Sequence, residues 1–343
     1  MAQLTTDAYS PKEIAGRIAA VAQSKGALDV FRLLVLAVLA GVFIGFGANF
    51  FTMVVHETGL ALGLTKLIGG FVFSLGLILV VLAGAELFTG NMLMVMGFVD
   101  GAIGAPRLLR SWSLAYIGNF AGSLLLVVLV FWSRQWAING AAVGAKALLI
   151  ANAKVNLTFA EGFTRGILAN ALVCLAVWLC FGARSVTDKI HAIIFPITAF
   201  VAAGFEHSVA NMYFVPLGIA LKSDPSVLTA AEAMAGGTVD LAQLTWAGFV
   251  VRNLVPVTLG NMVGGGLLVG IVYWSIYLRE FSFRSIGKLA GIAFRLVFFV
   301  NPRTLSPRKI SANLSGLRAV AKKRKGSRPV PRDLTTLVDE DED

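Results

Sequence analysis

Charged residues are scarce in this chain. Asp, Glu, Lys and Arg make up 14% of it and hydrophobic residues 57%, whereas a soluble domain carries about 25% charge; the deficit places the chain among integral membrane proteins. Histidine is scarcer still. The three present, His56, His191 and His207, show no metal-ligand spacing, so no metal is expected and an intramembrane enzyme is disfavoured. Cysteine occurs only at Cys174 and Cys180, which face different ways on one helix and cannot bridge each other. The ~10-residue alternating segments of a transmembrane barrel are missing. So is the apolar h-region of a cleavable signal peptide, because Asp7, Lys12, Glu13, Arg17, Lys25 and Asp29 punctuate the N-terminal stretch.

Uninterrupted apolar sequence is abundant. Residues 33–55, 67–85, 111–133, 166–183 and 253–278 each approach or exceed the roughly 20 residues that cross a bilayer as a helix. A sixth run, 192–221, qualifies once Glu206 and His207 are set aside. The expectation is an all-α membrane protein with six transmembrane helices, organised as an N-terminal segment (1–30), a six-helix domain (31–280) and a basic extension (281–343). Within the first, "PKEIAGRIAAVA" (11–22) suits either an amphipathic helix lying at the interface or a solvated one. Residues 281–300, apolar but broken by Arg284, Lys288 and Arg295, suit an interfacial helix better than a seventh span.

Residues 279–343 hold 14 of the 29 Lys and Arg against 7 acids, so the positive-inside rule puts this tail in the cytoplasm. An even number of spans places the N-terminus there too. Arg107, Arg110, Arg184 and Lys189 then fall in short inner loops, while an outer loop, 134–165, carries Arg134, Lys146, Lys154 and Arg165. The basic run "KKRKGSR" (322–328) reads as a contact with anionic lipid or as a solvated tail rather than as a nucleic-acid motif.

The chain repeats itself. "GAELFTGNM" (84–92) and "GFEHSVANM" (204–212) both fit G-x-E-x4-N-M, and "GNFAGSLLLVVLVFW" (118–132) and "GNMVGGGLLVGIVYW" (260–274) both fit G-N-x2-G-x9-W. Each half thus holds three spans, the middle one split by a polar segment. A second copy of a three-span unit must enter the membrane inverted, which places a substrate site near the midplane where the broken helices meet. Gly84, Gly90 and Gly204 permit the breaks in helices 2 and 5. Glu86 and Glu206 are read as structural groups that hold freed backbone or cap broken ends, because a permanent carboxylate in an anion path repels its cargo. Asn91 and Asn211 are read as tethers of the same breaks.

His207 is different. Leu87 occupies its place in the first copy, so scaffold symmetry does not require it, and an ionisable residue inside the membrane is by default a functional hypothesis. The alternative is a packing histidine that has found partners. Thr89 and Asn170 are uncharged groups able to partner the ring or an anion.

"KLIGGFVFSLGLIL", "GAELFTGN", "KVNLTFAEGFTRGILANALVCLAVW", "GFEHSVANM" and "NLVPVTLGN" occur in an order that resembles the formate/nitrite transporter family, most nearly its formate channels, over roughly residues 10–280. The resemblance implies an aquaporin-like six-helix protomer, a homopentamer in the inner membrane with one pore per protomer, both termini cytoplasmic, and no cofactor. It implies a central histidine at His207, a loop threonine at Thr89 and a fourth-span asparagine at Asn170. It further implies constrictions at Phe73, Leu77 and Phe200 and, further in, at Leu87, Val173 and Ala210, with Lys154 as a vestibule lysine that draws anions in. The function so implied is passage of formate, as the anion or as the acid with proton coupling through His207. Nitrite and hydrosulfide compete within the family. An aquaporin-type channel competes from outside it, against the absence of any Asn-Pro-Ala pair.

Overall fold

The structure, a computed structural model, describes residues 8–279, and every element in it is helical. The expected interfacial helix at 281–300 and the basic extension 281–343 lie outside the described residues.

Helix α1, Pro11–Gly26, opens on a capping box: Ser10 accepts from the Glu13 N–H and Glu13 reaches back to the Ser10 N–H, with Pro11 at the first helical position. Its buried residues Ile14, Ala15, Ile18, Ala19 and Ala22 form one stripe at helical spacing. That stripe does not face lipid or water as the sequence suggested. It packs on the protein, Ala22 against Gly97 and Ile14 against Gly182, because small residues there leave room for it.

Among the described residues, five helices are long and apolar enough to cross a membrane, and the expected sixth run, 192–221, is divided between two shorter helices. The five are α2 (Val30–Val55), α3 (Leu62–Leu82), α5 (Ala105–Trp132), α7 (Phe159–Gly182) and α11 (Trp246–Tyr277), while Gly90–Val99 (α4) and Ser208–Leu221 (α9) are shorter apolar helices. Two more helices are α6 (Ala142–Val155) and α10 (Pro225–Ala235). Val186–Ala202, α8, completes the set. Phe31, Trp132 and Phe195 point outward and are exposed, as expected where the surrounding solvent is hydrocarbon.

The stretch 134–165 is not one loop. Its centre forms α6, whose Ala147 and Ala151 are buried, with Ala151 seated on Gly218 of α9.

Close helix approach is set by glycine. A Cβ on Gly122 of α5 would strike the Val38 carbonyl oxygen of α2, and a Cβ on Gly264 of α11 would strike the Ile167 carbonyl oxygen of α7. Backbones can meet this closely only where the approaching residue carries no side chain.

Candidate functional site

Two chain breaks converge on the interior, and the same bonds hold both. Between α3 and α4, Gly84 takes φ +79°; between α8 and α9, Gly204 takes φ +71°, a left-handed conformation that glycine adopts without penalty. Gly90 is not left-handed and instead begins α4.

Each break exposes backbone groups that water cannot reach, and one asparagine answers them. Asn119 donates through Nδ2 to the carbonyls of Ala37 (2.8 Å) and Glu86 (3.0 Å) and accepts from the Phe88 N–H at 2.9 Å. Asn261 donates to the carbonyls of Gly166 (2.8 Å) and Glu206 (3.0 Å) and accepts from the Ser208 N–H at 2.9 Å. The Glu86 N–H donates to the Leu36 carbonyl and the Glu206 N–H to that of Arg165. Sequence reasoning noticed the repeated G-N motif but gave these asparagines no role. The signal was the repeat itself.

The two carboxylates are buried and bonded. Asn91 Nδ2 donates to Glu86 Oε2 and Asn211 Nδ2 to Glu206 Oε2, each at 2.7 Å. Lys25 Nζ reaches both Glu86 oxygens (2.8 and 2.9 Å) and Asn91 Oδ1 (2.9 Å). Lys154 Nζ reaches both Glu206 oxygens (2.9 and 3.1 Å) and lies 5.3 Å from the centre of the Phe214 ring. Lys25 went unnoticed in the sequence, although a buried carboxylate calls for a counter-charge.

Where the breaks differ, they touch. His207 Nε2 lies 2.7 Å from Thr89 Oγ1, and both residues are buried. His207 also caps α9, its Nδ1 accepting from the Ala210 N–H at 3.1 Å. With Nδ1 as acceptor, the neutral ring carries its proton on Nε2 and donates to Thr89. The Thr89 hydroxyl then keeps its own proton to offer. Asn170 does not reach the ring. Its Nδ2 donates to the carbonyls of Asn261 (2.7 Å) and Thr89 (3.3 Å), which fixes the threonine-bearing turn from behind.

Two cavities flank this contact. One, on the α1 side, has a volume of about 360 Å³ and is bordered by Leu77, Leu87, Glu86, Lys25 and Asn91. The other, on the α6 side, has a volume of about 420 Å³ and is bordered by Phe73, Phe200, His207, Ala210 and Lys154. Phe73 and Phe200 meet edge to face with centroids 5.8 Å apart, and Phe200 lies 6.0 Å from the His207 ring. The expected grouping of the constrictions changes in two places: Leu77 borders the α1-side cavity with Leu87, and Ala210 the α6-side cavity with Phe200. Leu77 lies one turn beyond Phe73 on α3, and Ala210 lies in the first turn of α9 beside His207. Val173 is buried without bordering either cavity. Among the described residues there is no cluster of three metal-ligating side chains.

A family profile described as formate/nitrite transporter matches residues 12–275. Formate channel FocA of Escherichia coli (strain K12) is 44% identical over 248 residues, 71% of this chain and 86% of that protein. A probable formate transporter of Methanothermobacter thermautotrophicus is 40% identical over 288 residues, 79% of this chain and 98% of that protein. Among solved structures, a pentameric formate channel with formate bound superposes with a TM-score of 0.66 at 43% identity, covering 73% of this chain and 98% of that one. An FNT family ion channel does so with a TM-score of 0.64 at 28% identity, covering 77% and 98%.

Proposed function

The chain belongs to the formate/nitrite transporter family, a multi-pass membrane family, and on that premise we propose that it is a formate channel. The observation that carries this reading is the buried His207–Thr89 contact at 2.7 Å, set between two cavities that each hold a lysine.

The transporter domain, 31–280, comprises six spans in two inverted three-helix repeats of aquaporin-like design, with helices 2 and 5 broken. A constant register between the halves supports it: the contacts of Leu36, Ala37 and Val38 recur at Arg165, Gly166 and Ile167. Both termini are cytoplasmic in the inner membrane, so the α1-side cavity is the inner vestibule and the α6-side cavity the outer one. The protomers form a homopentamer, as the related formate channel does.

Transport follows from the barriers. A carboxylic acid with a pKa of about 4 is almost wholly ionised at neutral pH, and moving a bare anion past Phe73, Phe200, Leu77 and Leu87 costs several kcal/mol. The Thr89 hydroxyl and the His207 Nε2–H stabilise the charge at the narrowest point, while Asn170 holds Thr89 in place. A proton taken up from the vestibule and relayed through the His207 ring to the anion leaves the ring neutral, as it began, and gives the neutral acid, which crosses the apolar walls more cheaply. Conduction of the anion and symport of acid are thus two regimes of one path.

The test is parallel flux of formate, nitrite, hydrosulfide and glycerol through the full chain in proteoliposomes. Formate leading the set is the expected result. Nitrite or hydrosulfide leading would move the substrate within the family, and glycerol leading would replace the anion reading.

A further inference from the structure

The outer cavity is bordered by four cations, Lys66, Lys146, Lys154 and Arg165, and by a single carboxylate, Glu206. That carboxylate is committed. It grips Lys154 through both oxygens, so the lysine nearest the histidine brings almost no net charge to the approaching anion. Arg165 has Glu161 3.8 Å away, which offsets part of its field. Lys66 and Lys146 have no carboxylate partner among the described residues.

Lys146 and Lys154 lie on the same face of α6, with Ile150 between them, and all three border the cavity. Eight residues of helix put the two ammonium-bearing positions about 12 Å apart along the axis, more than the ~8 Å Debye length at physiological ionic strength. The charges therefore act locally and in succession. On an adjacent face α6 is clamped by Ala147 and Ala151, the latter against Gly218, so the stripe holds its aim.

We propose that Lys146, assisted by Lys66, is the group that recruits the anion into the outer vestibule, and that Lys154 receives it second. The inference rests on the anion-channel reading. Fields focused by a low-dielectric cleft raise local anion concentration and entry rates by about tenfold or more at low salt, and an unpaired lysine supplies such a field where a paired one does not. Because a passive channel obeys microscopic reversibility, the loss on removing Lys146 must be equal for influx and efflux at low substrate.

The experiment compares Lys146→Ala, Lys146→Glu, Lys146→Arg and Lys66→Ala with the parent, as full-length chains in proteoliposomes, at low and high ionic strength. Lys146→Ala should lower formate permeability about threefold at low salt and Lys146→Glu about tenfold. Lys66→Ala should have the smaller effect, and Lys146→Arg should restore the parent rate. High salt should erase the differences, and at low pH, where the uncharged acid is carried, all variants should match. An unchanged rate at low salt overturns the inference. A loss that persists in high salt and for the uncharged acid also overturns it, since that marks a structural role. A parent that conducts nitrite but not formate sinks the formate reading alone, and the same series is then read with nitrite.

Discussion

The break at Gly84–Asn91 and the break at Gly204–Asn211 share a skeleton and differ in what they do with it. Both place a glycine at positive φ, a glutamate on a lysine and an asparagine from the following span against the freed backbone. Leu87 in one is His207 in the other, and Thr89 is Val209; the histidine and the threonine then find each other across the two copies. The lysines diverge as well. Lys25 has three acceptors and ties α1 to the break, whereas Lys154 has the two oxygens of Glu206 and Asn211 Oδ1 is left without a partner. The Lys154 cluster is completed instead by Asn253, which accepts from Asn211 Nδ2 at 2.8 Å and donates to Glu206 Oε2 at 3.4 Å. Duplication supplied the frame, and asymmetry within it supplied the chemistry.

The shared skeleton can be broken hardest at its asparagines. Asn119→Leu and Asn261→Leu each strand three buried backbone groups, at about 1–3 kcal/mol apiece, so each should cost on the order of 4 kcal/mol or more in thermal or denaturant unfolding. Equal losses support equivalence of the two breaks; a loss at one site only contradicts it. The lysine clusters should respond less and unequally. Glu206→Gln leaves Lys154, whose side chain is 15% exposed, beside a neutral amide, while Glu86→Gln does the same to Lys25 at 27%. After allowance for solvent screening, the first should cost on the order of 2 kcal/mol and the second less, as read by unfolding of the two variants side by side.

The smallest effect concerns the start of α1. The Ser10 hydroxyl and then the Ser10 backbone N–H hold the Glu13 carboxyl below its usual value. Since the folded-state value is the lower one, the cap is fully effective above the ordinary carboxylate range and is lost as pH falls through the lowered value. Amide hydrogen exchange at the start of α1 should quicken in acid, and Ser10→Ala should make it quick at neutral pH as well. Exchange unaffected by both changes would show that the cap does not hold this end.

Much of this is legible in the amino-acid sequence. G-x-E-x4-N-M and the G-N pairs are readable because a break inside a membrane needs a glycine, a charge and an amide at fixed spacing. The departure of His207 from Leu87 is readable for the same reason: a repeat exposes its own exceptions. Lys25 was not readable, because its pairing with Glu86 depends on where α1 docks, and an amphipathic stripe does not say what it faces. The helix at Ala142–Val155 was obscured by Lys146 and Lys154, which suggested a loop although Ala and Leu favour a helix throughout. The wall positions of Leu77 and Ala210 depend on where the two cavities end along α3 and α9, and linear spacing does not carry that.

The central claim is that asymmetry at His207 couples a proton to the anion, and His207→Asn tests it most directly. Asparagine retains a side-chain acceptor suited to capping α9 but cannot titrate. In proteoliposomes with a pH gradient, the account predicts a folded channel that still conducts formate and no longer moves protons with it. Proton coupling equal to that of the parent would contradict it.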